Sequence, residues 1–245
     1  SALHGTGFTS KWLWDSAHVQ SPRTIVPLGG IEDAVLVLER QSPSKVILLY
    51  KENGAKRSVI VAEQAGLTHG LALDGIYLYA SSDTTVYRWN FISTQRTTAT
   101  NMTVVIKNID AGGHNTRILV FDGSGRLYIS VGSLANIDGN SARARILRFD
   151  FGVTTVVPAG GYDFQTQGEI FADGLRNTVA LDFDSTGALW GIDNSATGLF
   201  RSDIGGEISE ENPAEKLNYF PETNKGKFYG YPYCFVEYSL GPVYT

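Results

Sequence analysis

The 245-residue sequence predicts an all-β protein, and more narrowly a β-propeller whose blades are four-stranded antiparallel sheets. Composition is the first indication, because 27 glycines, 11% aromatic residues and only 18% charged residues suit compact sheets joined by tight turns. The second is a series of short runs in which apolar residues alternate, as they do in half-buried strands. The third is that the runs form clusters repeated at a spacing of roughly 40–60 residues, which is typical of propeller blades.

The predicted strands are separated by turn residues such as Gly29-Gly30, Ser42-Pro43 and Asn53-Gly54. Val, Ile, Leu, Tyr and Phe dominate the runs between the turns, and their alternation favours strands over helices. In four successive clusters the predicted strands are residues 24–28, 34–39, 45–52 and 56–64; 70–73, 76–82, 85–92 and 102–109; 117–121, 126–132, 145–151 and 168–172; and 179–184 and 188–192.

A turn built from aspartate and glycine recurs at the same place in three clusters. It spans residues 122–125 in the third cluster, residues 184–187 in the fourth and, in a shortened form, Asp74-Gly75 in the second. Aspartate can bond its own backbone in such a turn, and glycine adopts the positive φ that the turn requires. The recurrence indicates that the clusters are copies of one structural unit.

We expect residues 1–245 to form one domain that holds three complete blades and part of a fourth. Propellers close on themselves, which removes exposed sheet edges. Because three and a fraction blades cannot close, we expect the folded unit to include polypeptide beyond Thr245, either as a continuation or as a second chain.

Charge and hydropathy exclude two classes of partner. The formal charge is −5, and no basic run offers the Lys/Arg stripe that a nucleic-acid backbone requires. No apolar stretch approaches the ~20 residues of a membrane-spanning helix. The sequence also lacks the His-Glu-x-x-His, Cys-x-x-Cys, Walker and Gly-x-Ser-x-Gly patterns of common metal, nucleotide and hydrolase sites. We therefore expect neither nucleic acid nor membrane as a partner.

Three features bear on a secreted location. The sequence begins at Ser1 rather than Met, as it would after removal of a leader, although trimming would give the same start. Asn101-Met102-Thr103 is a sequon that a secreted protein could use for glycosylation. Cys234 is the only cysteine, and it is interpreted either as a buried apolar thiol or as one half of a disulfide to a segment outside this chain.

The chain contains four histidines, of which two occupy equivalent places in the repeat. His69 comes immediately before the first strand of the second blade, and His114 immediately before that of the third. His4 and His18 lie in the loop-rich N-terminal segment and are interpreted as surface residues.

Arg23 occupies the matching place in the first blade, and Arg176, followed by Asn177, occupies it in the fourth. First strands line the axis of a propeller, so the loops that enter them gather at one mouth. Any one of these polar residues alone would be interpreted as a structural group, but residues in register around an axis predict a shared central funnel. Two guanidinium groups there suit an anionic ligand, and a histidine beside them can act as a base near neutral pH.

A possible cation site follows the end of a predicted strand in the fourth cluster, at Asp193-Asn194-Ser195. Bare carbonyl groups at such a strand end could bind a hard cation such as Ca²⁺. An ordinary turn explains the same three residues equally well, and both interpretations stay open.

Several stretches, in a fixed order and spread over most of the chain, resemble one known family. They are residues 66–70 (GLTHG), 114–119 (HNTRIL), 127–133 (LYISVGS) with Asn136 and Asp138, 174–177 (GLRN), 205–218 (GGEISEENPAEKLN) and 229–232 (YGYP). The family is the glucose/sorbosone dehydrogenases, and the fungal pyranose dehydrogenases that use pyrroloquinoline quinone are the branch that the chain resembles most.

The resemblance implies a six-bladed propeller with the quinone in the central funnel. It implies that His114 is the catalytic base and that Arg176 and Asn177 contact sugar and quinone. With Arg23 and His69 at the same mouth, these residues form the predicted cofactor-binding set. The chain departs from the family at Ser133, where the bacterial glucose enzymes carry an acidic residue.

The same resemblance implies Ca²⁺ held together with the quinone by main-chain carbonyl groups around Asp193, Asn194 and Ser195. Further lysine and arginine residues of the family's site would come from later blades, beyond Thr245.

The implied reaction is oxidation of a pyranose sugar at C1 to a lactone. A base takes the proton of the anomeric hydroxyl, a hydride passes to a quinone carbon whose carbonyl is polarised by Ca²⁺, and Arg176 stabilises the oxyanion. The electrons then pass to an external acceptor, such as a haem domain or an oxidative enzyme of extracellular polysaccharide breakdown.

Two other functions compete with this one. A calcium-dependent lactonase would also be a six-bladed propeller, but it needs side-chain carboxylates on its metal, whereas the predicted funnel carries arginine and histidine. A non-catalytic interaction propeller would need an exposed apolar or charged face. Quinone titration separates the three, because only the dehydrogenase gains dye-reducing activity and only the lactonase hydrolyses lactones without quinone.

Overall fold

The computed structural model describes residues 14–29, 34–140, 142–152, 156–209 and 215–237. Within these residues the chain forms sheets that follow one another as successive blades of a β-propeller. Three blades hold four antiparallel strands each, and the fourth holds three. The predicted all-β propeller, with three complete blades and part of a fourth, is confirmed.

The first two blades are each built from strands that follow directly along the chain. The first blade contains β1 (Pro22–Pro27), β2 (Val35–Glu39), β3 (Lys45–Glu52) and β4 (Ala55–Glu63). The second blade contains β5 (Leu67–Asp74), β6 (Tyr77–Ser82), β7 (Val86–Asn90) and β8 (Thr100–Lys107), with a 3₁₀ turn at Ser93–Gln95 between the last two.

The later blades include short insertions between their strands. The third blade region runs through β9 (Leu119–Phe121), β10 (Arg126–Val131), β11 (Arg145–Asp150), β12 (Tyr162–Asp163), α1 (Phe164–Gln167) and β13 (Glu169–Asp173). The fourth runs through β14 (Thr178–Phe183), β15 (Leu189–Asp193), β16 (Phe200–Arg201), β17 (Gly206–Glu207), β18 (Lys216–Phe220) and β19 (Lys227–Phe228), with 3₁₀ turns at Ser202–Ile204 and Glu222–Asn224.

Two of the short strands cross from one blade to the outer edge of the preceding one. Strand β12 pairs in parallel with β8, and β19 pairs in parallel with β13. Each therefore covers hydrogen-bonding groups that an outermost strand would otherwise leave open. This exchange ties the second blade to the third and the third to the fourth.

Apolar clusters fill the spaces between neighbouring blades. The cluster between the first and second blades includes Leu38, Leu48 and Leu78, each at most 1% exposed. A second cluster, around Ile129, lies between the second and third blades, and a third, around Phe171, lies between the third and fourth. Because each fully buried side chain of this size contributes about 1.5–3 kcal/mol, blade-on-blade packing supplies most of the stability.

Two buried serine hydroxyls join the inner strands of neighbouring blades. Ser81 accepts the Gly70 N–H of its own blade at 3.1 Å and donates to the Arg117 carbonyl of the next at 3.3 Å. Ser130 does the same between the Ile118 N–H, at 3.1 Å, and the Thr178 carbonyl, at 3.2 Å. The repeat of this bridge fixes the spacing of successive inner strands.

The innermost strands β1, β5, β9 and β14 lie side by side and line one open cleft of about 510 Å³. Arg23 and His69 lie inside β1 and β5, so the prediction that they precede those strands is wrong. Both strands begin earlier than the apolar pattern indicates, because a register shift in each pairing admits polar residues at the start.

In the described residues no helix is long and apolar enough to cross a membrane.

The close approach of the inner strands makes a glycine obligatory at position 70. A Cβ on Gly70 would lie 2.1 Å from the Arg117 carbonyl oxygen and 2.4 Å from the Ser81 hydroxyl. We expect Gly70→Ala to lower the free energy of unfolding by about 1–3 kcal/mol, because such overpacking forces the blades apart. Denaturant unfolding measures this, with Gly123→Ala as the control, since a Cβ there meets nothing within 4 Å. Equal stability of the two variants would contradict the expectation.

Candidate functional site

Arg23 and His69 lie together where the first and second blades meet. The Thr24 hydroxyl donates to the His69 carbonyl and lies 3.3 Å from His69 Nδ1. Burial lowers the pKa of His69, and the positive charges of Arg23 and Arg40 lower it further. The Arg23 guanidinium is exposed and forms no ion pair with any described residue. The exposed Asp182 of the fourth blade lines the same cleft as Arg23 and His69.

His114 is half-buried in the loop that leads into β9, and one of its ring nitrogens is fixed by Ser133. His114 Nδ1 lies 3.0 Å from the Ser133 carbonyl oxygen and 2.9 Å from the Ser133 hydroxyl. The hydroxyl donates its own hydrogen to the Ala135 carbonyl at 2.7 Å, so it can only accept from the imidazole. Both partners of Nδ1 are therefore acceptors, and Nδ1 carries the proton.

The consequence is a neutral imidazole whose Nε2 lone pair has no hydrogen-bond partner among the described residues and can accept a proton. Burial lowers the pKa of His114, and the nearby Arg176 lowers it further, against a smaller opposing effect of the hydrogen bond to Ser133. The neutral form is therefore favoured to a lower pH than in an exposed histidine. A fixed tautomer with a free Nε2 is the arrangement that a general base needs.

Arg176 lies in the loop before β14 and is held by Asn136. Its Nε donates to the Asn136 carbonyl at 3.1 Å, and its Nη2 donates to Asn136 Oδ1 at 2.9 Å. Asn136 is fixed in turn by Thr197, whose N–H donates to its Oδ1 at 2.9 Å, and by the Tyr231 hydroxyl. Since these bonds use one edge of the guanidinium, Nη1 remains for a ligand.

Asn177 joins the His114 loop to the fourth blade. The Thr116 hydroxyl donates to Asn177 Oδ1 at 2.8 Å, and the Ser133 N–H donates to the Arg176 carbonyl at 2.8 Å. A Cβ on Gly132 would lie 2.6 Å from His114 Cβ and 3.0 Å from Asn177 Oδ1, so a glycine is needed where these residues meet. The third and fourth blades thus share one hydrogen-bonded cluster at this end.

Asp193, predicted as part of a metal site, uses its side chain for a structural purpose. The carboxylate is fully buried and accepts the backbone N–H groups of Asn177 at 2.8 Å and Arg176 at 3.2 Å, and the Thr178 hydroxyl at 3.4 Å. Burial raises its pKa, against the lowering effect of these hydrogen bonds. Asp193 therefore fixes the backbone that presents Arg176 and Asn177.

The next two residues lie beside the same cluster. The Asn194 N–H donates to the Asn177 carbonyl at 3.1 Å, and the Ser195 N–H donates to the Glu215 carboxylate. Residues 193–195 share a small pocket with Arg176. No group of three or more His, Cys, Asp or Glu side chains is placed to share a metal ion among the described residues. The donors that this corner offers a hard cation are main-chain carbonyl oxygens and the Glu215 carboxylate, which accepts the Ser195 N–H.

The predicted site residues thus form two groups. His114, Arg176, Asn177 and residues 193–195 are linked by the hydrogen bonds given above, and Arg23 and His69 form a separate pair. Within the described part of the chain no hydrogen bond joins the pair to the larger group. A single funnel for all of them stays a prediction. Each group presents a guanidinium, and guanidinium groups are suited to bind carboxylates.

The sequence assigns His4, His18 and Cys234 to positions outside the site. His18 is partly exposed and its Nδ1 lies 2.7 Å from Asp15, whereas His4 lies outside the described residues. Cys234 is exposed, so its interpretation as a buried thiol is wrong. Residues 230–234 form a turn in which the Tyr233 and Cys234 N–H groups bond the Gly230 carbonyl, and this directs the thiol outward. Its pairing with a segment outside the chain stays a prediction.

The sequence matches one known protein family over nearly its whole length. The sequence model of the TrAA12-like family matches residues 5–243. The chain belongs to the TrAA12-like family. No curated protein matches this TrAA12-like chain significantly.

Solved structures resemble the TrAA12-like chain over most of its length. The holo form of the pyranose dehydrogenase PQQ domain from Coprinopsis cinerea has 27% identity and a TM-score of 0.75, and covers 87% of this chain and 54% of its own. The calcium structure of a family AA12 enzyme from Trichoderma reesei has 27% identity and a TM-score of 0.74, and covers 86% and 56%. The chain therefore spans about half the length of these relatives.

A more distant bacterial structure shares the fold. The PQQ-bound aldose sugar dehydrogenase from Streptomyces coelicolor has 17% identity and a TM-score of 0.57, and covers 87% of this chain and 63% of its own. The family resemblance inferred from the sequence is confirmed by the family model together with the two fungal structures.

Removal of the Asp193 carboxylate should destabilise the loop of Arg176 and Asn177. Asp193→Ala leaves two buried N–H donors without a partner, and each such group costs about 1–3 kcal/mol. We expect a loss of free energy of unfolding of at least this size, measured by denaturant titration. Asp182→Ala, an exposed aspartate on β14, is the control and should stay within ~0.5 kcal/mol of the parent protein. A neutral Asp193→Ala would show that the loop is held by other contacts.

Proposed function

We propose that the protein oxidises pyranose sugars at C1 to lactones, using pyrroloquinoline quinone and Ca²⁺. Membership of the TrAA12-like family supports an oxidoreductase of this kind. The observation that carries the proposal is His114, a neutral histidine with one fixed tautomer and a free Nε2, next to the guanidinium of Arg176.

The role of His114 in this reaction is to remove the proton of the anomeric hydroxyl through Nε2. The imidazole becomes positively charged, and its Nδ1–H keeps both bonds to Ser133, so the ring does not have to reorient. When bound, the quinone supplies the carbonyl carbon that accepts the hydride from C1, and Ca²⁺ polarises that carbonyl. The sugar thus gives up one hydride from C1 and one proton to His114, a loss of two electrons and two protons in all, and a lactone is left.

The role of Arg176 is to bind anionic oxygen. Its Nη1 is free for this purpose because Asn136 holds the other edge of the guanidinium. Asn177 lies next to it on a backbone fixed by Asp193. Arg23 and His69 would bind a second anionic group of the cofactor, and the exposed guanidinium of Arg23 beside the imidazole of His69 supports this assignment.

The proposed calcium ligands are main-chain carbonyl groups of Asp193, Asn194 and Ser195. Their position next to the Arg176–Asn177 backbone supports the assignment, since the Asn194 N–H bonds the Asn177 carbonyl and the Asp193 carboxylate holds the N–H groups of Arg176 and Asn177. The Asp193 side chain is not among the ligands, because backbone N–H groups already occupy it.

The proposal also includes partners and a location. A reduced quinone must pass two electrons to an external acceptor, for which a haem domain or an oxidative polysaccharide-degrading enzyme is suitable. The complete enzyme would contain further propeller strands, since the part matched by this chain covers only 54–56% of the related structures. Secretion is supported by the sequon at Asn101, which is exposed on β8 and open to glycosylation.

Replacement of His114 should remove the base and leave cofactor binding largely intact. In the full-length enzyme we expect His114→Ala to lower kcat by about 10²–10⁴-fold, the usual contribution of a general base, with little change in quinone affinity. His69→Ala should instead weaken quinone binding, and His18→Ala, outside the site, should change neither. Steady-state kinetics and quinone titration measure these effects. Near-normal turnover of His114→Ala with loss of turnover in His69→Ala would assign the base to the other histidine.

The lowered pKa of His114 predicts the pH range of activity. The base works only when neutral, and a lowered pKa means that protonation begins at a lower pH than in an exposed histidine. The acidic limb of the kcat–pH profile should therefore lie below the ordinary range of histidine and disappear in His114→Ala. An acidic limb above that range would show that another group titrates.

Calcium binding should depend on the quinone. A site made of carbonyl groups without a carboxylate cage binds Ca²⁺ weakly until the cofactor adds its own ligand atoms. Calorimetric titration of the full-length apoprotein with Ca²⁺ should show weak binding that tightens when quinone is present. Tight binding to the apoprotein without quinone would contradict the proposed ligand set and favour a side-chain carboxylate site.

A further inference from the structure

Arg117 is the largest side chain among the fully buried residues, and it has no role in the site described above. Only 1% of its surface is exposed. Its guanidinium uses all five N–H donors, four of them on backbone carbonyl oxygens. These bonds are Nε to Asp83 O at 3.0 Å, Nη1 to His114 O at 2.9 Å and Thr116 O at 3.0 Å, and Nη2 to Asp110 O at 2.7 Å and Asp83 Oδ1 at 2.7 Å.

Three of the carbonyl groups belong to one loop, which spans residues 110–116 and carries His114. The loop contains no large apolar side chain that could pack against the core. Its two adjacent glycines, at positions 112 and 113, have positive φ. Asp83 holds the same loop from the second blade, because its other carboxylate oxygen accepts the Gly112 N–H at 2.8 Å. The Asp83–Arg117 ion pair therefore fixes both the beginning and the end of the loop.

The bonds continue from Arg117 to the reacting groups. Arg117 holds the carbonyl of His114, whose ring is bonded to Ser133, and the carbonyl of Thr116, whose hydroxyl is bonded to Asn177. A shift of the loop backbone would move the imidazole away from its two acceptors. A carboxylate-bonded arginine elsewhere, such as Arg148 with Glu169 and Glu222, has no such connection.

We propose that Arg117, supported by Asp83, is the positioning residue that holds the imidazole of His114 in the tautomer and orientation of a base. It touches neither substrate nor cofactor and acts through the backbone of the loop. Its effect on turnover rests on the proposed function, whereas its effect on the imidazole does not. Burial lowers the pKa of its guanidinium to about 10, so the group remains charged at neutral pH and retains all five donors.

The imidazole itself gives the decisive measurement. In full-length apoprotein with ¹⁵N-labelled histidine, the His114 resonance, assigned by its loss in His114→Gln, should report a proton on Nδ1 and a pKa below that of an exposed histidine. In Arg117→Met we expect a mixture of tautomers and a pKa that rises toward the ordinary value, because the ring leaves Ser133 and becomes more exposed while Arg176 moves no closer. Arg117→Lys should lie between the two, since an ammonium group cannot reproduce the five-bond fork.

Two further variants serve as a control and as an independent test. Arg148→Met removes another buried, carboxylate-bonded arginine of the same blade, and it should lower the melting temperature and leave the His114 resonance unchanged. Asp83→Ala removes a partly exposed partner and should move the resonance in the same direction as Arg117→Met. If Arg117→Met does not fold, Asp83→Ala decides the question. A folded variant of either kind with the parent tautomer and pKa overturns the proposal.

Kinetics separate this proposal from the proposed function. With quinone, Ca²⁺ and sugar, Arg117→Met should lower kcat by about 10²-fold, the effect of a reacting group misplaced by about 1 Å, while Arg148→Met keeps its turnover at a temperature where both are folded. If the resonance changes in Arg117→Met but even the parent protein oxidises no sugar, the proposed function is contradicted and the proposal that Arg117 positions His114 is supported. An unchanged resonance with active enzyme would do the reverse.

Discussion

The spacing of neighbouring blades depends on one repeated interaction, the hydroxyl of a buried serine that bonds two inner strands at once. Ser81 joins the second blade to the third, and Ser130 joins the third to the fourth. A hydrogen bond of this kind contributes about 0.5–1.5 kcal/mol, less than one buried leucine of the surrounding clusters. The apolar clusters therefore supply the stability, and the serines determine which residues of successive inner strands lie opposite one another.

This alignment has a direct consequence for the chemistry. The carbonyl that accepts from Ser81 belongs to Arg117, whose guanidinium holds the loop of His114, and the carbonyl that accepts from Ser130 belongs to Thr178, next to Asn177. The candidate site is thus built at blade junctions, where each reactive side chain is oriented by atoms of a neighbouring blade. A blade taken alone would present none of these residues in a defined position.

The fold could be predicted from the sequence because period-two alternation and the Asp-Gly turns are local properties of each strand and hairpin. The exchanged strands β12 and β19 could not, since two residues carry no periodicity and their pairing partners lie in another blade. Arg23 and His69 were expected before their strands because polar residues break the apolar pattern, yet both belong to strands that face the open cleft, where polar residues are tolerated.

Similar reasons limited the prediction of the site. Position in the repeat identified His114 and Arg176, and family resemblance assigned their roles. The purpose of Asp193 was missed because its pattern before two polar residues is typical of a cation site, whereas in the fold its carboxylate faces the backbone of the neighbouring strand. Ser133 was noted only as a departure from an acidic residue, and its hydroxyl becomes meaningful only when the Ala135 carbonyl that takes its hydrogen is known.

Positive charge next to His114 meets two requirements of the proposed reaction at once. An anionic cofactor needs cations, and a base near neutral pH needs to stay unprotonated, which adjacent cations favour. Arg176 satisfies both, since it lowers the pKa of His114 and offers a free Nη1 to an anion. An acidic residue in place of Ser133 would strengthen the hydrogen bond to Nδ1 and raise the pKa of the imidazole, giving a stronger base that is protonated at a higher pH. With serine at position 133 the imidazole is the weaker base of the two, and it remains neutral to a lower pH than it would beside a carboxylate.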